Sequence, residues 1–97
     1  MKYDNLDAIL NQQVRLAVVS ILINVHKADF NFLKEQTQTT QGNLSHQLKK
    51  LKEAKYIKVE KTFENNYPKT FCNITVKGKE AFEVYVDQMK QYLNINE

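Results

Sequence analysis

Residues 40–57 read TQGNLSHQLKKLKEAKYI, and the spacing of the leucines in this stretch predicts an α-helix. Leu44, Leu48 and Leu51 follow one another at intervals of four and three residues, which places them on one face of a helix. The residues between them are mostly polar or charged, so the opposite face should lie in solvent. We therefore expect a helix over about residues 41–54 whose leucine stripe enters a hydrophobic core.

A shorter segment precedes this helix and is separated from it by a turn. Asp29 or Asn31 can cap a short helix, since each offers a side-chain oxygen to the unpaired amides of a first turn. Thr39 or Thr40 can cap the longer helix in the same way. Two helices joined by a short turn make a helix-turn-helix motif, which we predict over about residues 30–54.

After the longer helix, the hydrophobic period changes from that of a helix to that of a strand. Ile57 and Val59 alternate with charged residues, which is typical of a strand. Residues 64–68 (ENNYP) predict a turn because Asn tolerates left-handed backbone, and a second alternating run covers residues 70–74. A hairpin over about residues 56–75, directly after a helix-turn-helix, is the wing of a winged helix.

Apolar segments on both sides of this motif predict further helices. Residues 14–25 are apolar on nearly every face, which is typical of a central helix, and they are preceded at helical spacing by Leu6, Ile9 and Leu10. Thr75 can cap a last helix over about residues 76–94 with an apolar stripe of Phe82, Tyr85, Met89 and Tyr92. We expect one domain over residues 1–97, mainly α with a small β-hairpin wing (α+β).

The distribution of charge is more informative than its sum. The formal net charge of +3 would not by itself indicate a nucleic-acid partner. Residues 41–79, however, contain nine lysines and three glutamates, whereas residues 80–97 contain one lysine and four acidic residues. Positive charge is therefore concentrated in the second helix of the motif, in the wing and at the start of the last helix, where it coincides with the motif that would contact phosphates.

The sequence offers no catalytic constellation and no metal or cofactor site. Cys72 is its one cysteine, which excludes an internal disulfide and a cysteine-rich zinc site, and His26 and His46 are twenty positions apart. We interpret Cys72 as a small core residue, with a redox-sensing thiol as the alternative. Because no signal peptide and no membrane-spanning apolar run is found, we expect a soluble, cytoplasmic protein.

The stretch from Thr40 to Ile57 resembles the recognition-helix segment of winged-helix transcriptional regulators of the MarR and ArsR type. That segment has a Leu-Ser pair, a Leu, two basic residues, another Leu, Glu-Ala-Gly and an aromatic-Ile entry into the wing. Residues 15–22 (RLAVVSIL) and 74–78 (ITVKG) resemble the flanking helix and the junction after the wing. The resemblance covers roughly residues 5–93, is closest to regulators without a ligand domain, and implies a DNA-binding regulator.

Two positions depart from that pattern. Lys55 stands where the family usually has a Gly that ends the recognition helix in the left-handed conformation. A Lys in that conformation costs roughly 1–2 kcal/mol. The wing tip, residues 64–69, holds one acid and one base, where the family's tip is often rich in Gly and Arg. This composition weakens the case for a wing that inserts deeply into a minor groove.

Side chains opposite the leucine stripe should face the major groove of DNA, because successive helical residues are about 100° apart. Ser45, His46 and Asn43 can bond base edges, and Gly42 permits a close approach. Amides at the helix start suit a phosphate, and lysines suit the DNA backbone. The predicted DNA-contacting residues are Thr39, Thr40, Gln41, Gly42, Asn43, Ser45, His46, Lys49, Lys50, Lys58, Lys61, Tyr67 and Lys69.

The apolar stripe of the last helix is wide for so short a chain, and its exposure would be a liability in a monomer. We therefore predict a homodimer whose interface contains Leu6, Ile9, Leu10, Phe82, Tyr85, Val86, Met89, Tyr92 and Leu93. A two-fold dimer would present two recognition helices to successive major grooves about 34–36 Å apart.

The favoured hypothesis is a homodimeric regulator that binds double-stranded DNA, a repressor that reads a palindromic operator. The alternative is a winged-helix module for protein–protein interaction without specific DNA binding, which the weakly charged wing tip motivates. An enzyme is the least supported class, and an RNA-binding role lacks an aromatic stacking platform. No residue specifies a small-molecule effector.

Overall fold

The computed structural model describes residues 3–94 and confirms the winged-helix architecture. The elements are, in chain order, α1 (Gln13–Val25), β1 (Lys27–Asp29), α2 (Phe30–Thr37), α3 (Gln41–Glu53), β2 (Ile57–Glu64), β3 (Tyr67–Ile74) and α4 (Val76–Leu93). The three strands form one antiparallel sheet in the order β1-β3-β2, so that the β2–β3 hairpin is the predicted wing.

The leucine stripe of α3 lies at the centre of the core, as its spacing predicts. Leu44 and Leu51 are fully buried and Leu48 is almost so, in the same cluster as Val18 and Leu22 of α1. Burying a leucine side chain stabilises a fold by about 1.5–3 kcal/mol. The stripe therefore fixes the rotation of α3 about its axis, and with it the face that α3 turns to solvent.

Both helices of the motif begin at predicted caps. The carboxylate of Asp29 accepts a hydrogen bond from the amide of Phe32 at 2.8 Å, which starts α2. The hydroxyl of Thr40 accepts from the amide of Asn43 at 3.1 Å, which starts α3. Thr39, the alternative cap, instead accepts a hydrogen bond from the Asn43 side chain. The turn between the two helices is thus held on its α3 side by two threonine oxygens, both of which accept from Asn43.

The segment before α1 does not continue the helix that the spacing of its leucines suggests. Residues 8–10 form a turn instead, because the carboxylate of Asp7 accepts hydrogen bonds from the amides of Ile9 and Leu10 at 2.7 and 3.1 Å. A short acidic side chain that captures nearby amides competes with helix formation. The turn directs Leu10 into the core, where it is fully buried.

Strand β1 is a further difference from the sequence prediction, which had no strand before the motif. Its residues pair with β3 in the register Lys27 with Asn73, Ala28 with Cys72, and Asp29 with Phe71. Ala28 is buried beneath this pairing. The strand is three residues long and has no alternating pattern of its own, so it can be recognised only from its pairing with β3.

The C-terminus of α3 adopts the left-handed ending that the family pattern implies, with Lys55 in the position of the usual Gly. Lys55 has φ 65°, and its amide donates to the carbonyl of Lys52 at 2.9 Å. The amide of Tyr56 donates to the carbonyl of Leu51 at 3.0 Å. This pair of hydrogen bonds is a Schellman motif, which satisfies carbonyls that the end of a helix would leave unpaired.

The N-terminus of α4 packs directly against the end of α3. The hydroxyl of Thr75 lies 2.8 Å from the carbonyl of Lys55 and 3.0 Å from that of Tyr56, and accepts from the amide of Gly78. A Cβ on Gly78 would lie 2.2 Å from the Tyr56 carbonyl oxygen. Glycine is therefore required at position 78 for the two helices to approach this closely.

Replacing Lys55 by Gly should stabilise the protein, because Gly removes the clash of Cβ that left-handed backbone imposes. We expect Lys55→Gly to raise the free energy of unfolding by about 1 kcal/mol, since part of the gain is offset by the greater flexibility of Gly in the unfolded chain. Equilibrium denaturation in urea measures the change. Lys52→Gly, within the regular part of α3, should destabilise instead; equal effects at both positions would contradict the assignment.

Candidate nucleic-acid interface

The face of α3 opposite the leucine stripe is polar and solvent-exposed. It presents five of the predicted contact residues, which are Gly42, Ser45, His46, Lys49 and Lys50. Gln41 is also exposed, but it lies in the first turn on the side of Leu44 and Leu48. Asn43 lies half-buried on the flank of the helix, next to Thr39. An exposed helix face with these donors and acceptors has the chemistry needed to read base edges in a major groove.

Gly42 is not required by packing within the chain. A Cβ built at this position meets no atom within 4 Å. Glycine in an exposed helix nevertheless costs roughly 0.5–1 kcal/mol relative to alanine. The first turn of α3 therefore has an uncovered backbone at Gly42, although packing within the chain does not require a glycine there.

A groove of about 490 Å³ lies between α3 and the wing. The side of the groove formed by α3 carries Lys49 and Lys52, and the wing contributes Lys61, so three cations surround it. The full lining is Phe30, Gln41, Ser45, Leu48, Lys49, Lys52, Val59, Lys61 and Thr70. Lys52 was not among the predicted contacts, although its position in the same lysine run would have suggested it.

The register of the wing separates its lysines between two faces. Lys61 pairs with Thr70 in the register and shares the groove with it, whereas Lys58 pairs with Asn73. Because successive side chains of a strand point to opposite faces, Lys58 and Lys69 lie on the outer face of the hairpin, away from α3. Of the three predicted wing lysines, only Lys61 therefore shares a surface with the recognition helix.

Lys69 also differs from the prediction in its charge environment. Its ammonium lies 3.5 Å from the carboxylate of Glu64 and 3.9 Å from that of Asp29. Two carboxylates thus already compensate the charge that we assigned to a phosphate.

At the wing tip, Tyr67 and Phe63 are 75% and 76% exposed. The tip is aromatic rather than cationic, and Phe63 is exposed although it continues the apolar alternation of Ile57 and Val59 in the sequence.

Two buried polar residues link α1 to α3, and sequence reasoning missed both. Arg15 is 9% exposed and Gln47 is 7% exposed. The guanidinium of Arg15 donates to the Gln47 side-chain oxygen at 2.6 Å, and the Gln47 amide donates to the Asn43 side chain at 3.0 Å. Arginine within an otherwise apolar helix was the available signal, because a buried guanidinium requires polar partners.

Burial decides the chemistry of the Cys72 thiol and the Tyr56 hydroxyl. Cys72 is fully buried on β3, and loss of solvation raises its pKa to about 11. The thiol therefore stays protonated at neutral pH, which disfavours a redox-sensing role. Burial raises the pKa of Tyr56 to about 12, assisted by the carboxylate of Asp7 that accepts its hydrogen bond. That bond ties the N-terminal segment to the base of the wing.

Two of the predicted dimer-interface residues are almost entirely enclosed within the chain. Leu10 is fully buried in the core, and Tyr85 is 4% exposed with its hydroxyl donating to the Asn11 side chain at 3.1 Å. Leu10 is therefore enclosed by its own chain, and Tyr85 can offer a second copy only the small part of its side chain that remains exposed. The period of the α4 stripe was correct, but Tyr85 marks the edge of that stripe that packs inward.

The other predicted interface residues lie at or near the surface. Leu6 and Ile9 are half-buried at the edge of the core, and Leu93 is 61% exposed. Tyr92 is 42% exposed, and its hydroxyl donates to the carbonyl of Asp4 at 2.8 Å. Between α1 and α4 runs an apolar groove of about 350 Å³, which is lined by Leu16, Ser20, Phe82, Tyr85, Val86, Met89, Lys90 and Leu93.

Residues 3–94 also bear on metal binding and membrane insertion. Within that range, no three side chains of His, Cys, Asp or Glu come together in a way that could hold a metal ion. None of the helices described there has the length and hydrophobicity that a membrane-spanning helix requires.

Comparison with known proteins gives concordant results. Residues 14–93 match the family model described as winged helix DNA-binding domain. An uncharacterized protein of Methanocaldococcus jannaschii is 37% identical over 83 residues, which cover 86% of this chain and 90% of that protein.

Solved structures share the fold as well. A transcriptional regulator homologue from Pyrococcus horikoshii superimposes with a TM-score of 0.82 at 27% identity, over 89% of this chain and 85% of that one. A MarR-family regulator from Silicibacter pomeroyi gives a TM-score of 0.69 at 15% identity, over 87% of this chain and 56% of that one. The winged-helix fold that the resemblance of the recognition segment implied is thus confirmed.

Proposed function

The chain belongs to the winged helix DNA-binding domain family, and from this premise we propose that it is a homodimeric transcriptional repressor that binds a palindromic operator. The observation that carries the proposal is the concentration of three lysines around the groove between α3 and the wing, next to a polar, exposed helix face. The recognition helix α3 would enter the major groove, and repression would follow from occlusion of the promoter.

Base recognition is assigned to the first half of α3. Ser45 and His46 are exposed and carry side chains that can bond base edges, and Asn43 stands at the flank. The bare backbone at Gly42 would let the helix approach the bases closely, which gives a reason for a glycine that the fold does not require.

Backbone contacts are assigned to the lysines and to the start of α3. Lys49, Lys50 and Lys61 are exposed, and Thr39 and Thr40 flank the first turn, where unpaired amides favour a phosphate. Gln41 lies in the same turn. On the outer face of the wing, Lys58 and Tyr67 would reach the neighbouring sugar-phosphate backbone, while Lys69 would first have to leave its two carboxylates.

A second copy is assigned to the apolar groove between α1 and α4. Phe82, Val86 and Met89 line it, and Leu93 leaves most of its side chain in solvent. Residues 80–97 carry net negative charge, so this surface should lie away from DNA. A two-fold dimer through α4 would place two copies of α3 on the same side, which suits half-sites about 34–36 Å apart.

A winged-helix module for protein–protein interaction is the second candidate. The aromatic wing tip favours it, because Phe63 and Tyr67 expose about three quarters of their surface and Lys69 is neutralised. The two candidates separate cleanly with Lys49→Glu and Lys50→Glu. Charge reversal on α3 should abolish DNA binding but leave binding of a partner protein at the wing tip unchanged.

DNA binding should depend steeply on salt. For about six phosphate contacts, the slope of log K against log salt should be about −5. Lys49→Gln should weaken binding to all sequences and reduce that slope by about 1, whereas His46→Ala should relax the preference for particular bases. Fluorescence anisotropy with duplexes from a random-pool selection measures both. Lys79→Gln, on α4, is the matched control; absence of salt-sensitive binding at low ionic strength would contradict the proposal.

Self-association should depend on one face of α4. Val86→Glu places a charge in the apolar groove and should shift the protein from dimer to monomer in sedimentation velocity, without a large loss of stability because Val86 is only half-buried. Val84→Glu is the matched control, since Val84 is 54% exposed and lies outside that groove. A wild-type protein that stays monomeric at high concentration, or equal effects of both variants, would overturn the assignment.

A further inference from the structure

We propose that Arg15 and Gln47, which are both buried, determine which atoms of the Asn43 carboxamide face the DNA. This inference rests on the proposed function, because it concerns how the recognition helix discriminates bases. It makes Arg15 and Gln47 positioning residues for Asn43, although neither presents its own side chain to the surface.

The guanidinium of Arg15 is held by three neutral oxygens. Its Nε donates to the carbonyl of Ile9 at 2.6 Å, and its Nη2 lies 3.4 Å from the carbonyl of Ala8. Its Nη1 donates to Oε1 of Gln47 at 2.6 Å. The turn before α1 thus clamps Arg15 from one side, and Arg15 in turn holds Gln47 of α3.

Because Arg15 can only donate, it determines which group donates and which accepts in the hydrogen bonds from Gln47 to Asn43 and from Asn43 to Thr39. A guanidinium has no acceptor, so Gln47 must turn its oxygen toward Arg15 and its nitrogen toward Asn43. The Gln47 nitrogen then requires an acceptor, which is Oδ1 of Asn43 at 3.0 Å. Consequently Nδ2 of Asn43 points to the hydroxyl oxygen of Thr39, at 2.7 Å. The orientation of the Asn43 amide therefore follows from the chemistry of Arg15.

The oxygen and the nitrogen of the Asn43 carboxamide can each form one further hydrogen bond. Oδ1 of Asn43 has a second lone pair, and Nδ2 has a second proton. An adenine in the major groove offers the matching donor at N6 and acceptor at N7. Because the amide cannot exchange its oxygen and nitrogen without placing two donors face to face at Gln47, it should favour adenine in one orientation. The hydroxyl oxygen of Thr39 accepts from Asn43, so the hydroxyl proton of Thr39 can still be donated to a phosphate.

The choice of glutamine at position 47 supports this inference. A buried arginine forms a stronger, charge-assisted hydrogen bond with a carboxylate than with a neutral amide. A glutamate at this position would therefore satisfy Arg15 better, but it would have no proton for Asn43. Glutamine is the side chain that accepts from Arg15 and donates to Asn43 at the same time.

The substitution Gln47→Glu tests the inference because it retains the contact with Arg15 and removes the donor to Asn43. The Asn43 amide should flip to donate its nitrogen to the new carboxylate. We expect unchanged or higher thermal stability, and about a tenfold loss of discrimination at the base pair that Asn43 reads, measured as a ratio of affinities by anisotropy. In an Asn43→Ala background, the same substitution should change that ratio no further.

Gln36→Glu is the matched control, since it adds the same charge on the exposed surface of α2. It should weaken binding to all duplexes equally and leave the ratio unchanged. Wild-type protein that binds no DNA would overturn the proposed function. Wild-type protein that discriminates bases, together with a Gln47→Glu variant of unaltered preference at every position, would overturn this inference alone.

A measurement without DNA tests the amide orientation directly. In the wild-type protein, nuclear Overhauser effects should connect the side-chain amide protons of Asn43 to the methyl group of Thr39. In Gln47→Glu these contacts should be lost. Their absence from the wild-type spectrum would overturn the inference whether or not the protein binds DNA.

Discussion

The junction at Lys55 and Tyr56 is the constraint on which the arrangement of the molecule depends. Here α3 ends in left-handed backbone, β2 begins, and the first turn of α4 packs against the Tyr56 carbonyl through Thr75 and Gly78. A change in the angles between α3, β2 and α4 would break the Schellman hydrogen bonds or move the start of α4 away from the Tyr56 carbonyl. The relative placement of the recognition helix and the wing, which form the groove, is therefore set by backbone geometry at this junction.

Much of this arrangement could be predicted because it is encoded locally. The leucine spacing identified α3 and its buried face, and the two caps, Asp29 and Thr40, were each one of two candidates in the sequence. Asn65 and Asn66 indicated the turn, where both have positive φ. Lys55 could be recognised as left-handed only through the family pattern. These features depend on residues within one or two turns of each other, which is the range over which sequence patterns are informative.

The features that escaped prediction depend on partners distant in sequence. Strand β1 exists because β3 pairs with it, and Arg15 is satisfied by Gln47, 32 positions away. Leu10 and Tyr85 belong to apolar stripes that sequence identified, but which edge of a stripe turns inward is decided by packing. The opposite faces of Lys58 and Lys61, in contrast, follow from strand alternation and could have been read from the sequence.

The proposed function requires that α3 and the inner face of the wing form one DNA-binding surface. The most direct measurement is an NMR titration of the protein with a duplex from the random-pool selection. We expect the amide shifts to change most over residues 39–50 and around Lys61, with little change along the middle of α4. Changes confined to α4 and the wing tip, with α3 unaffected, would contradict it.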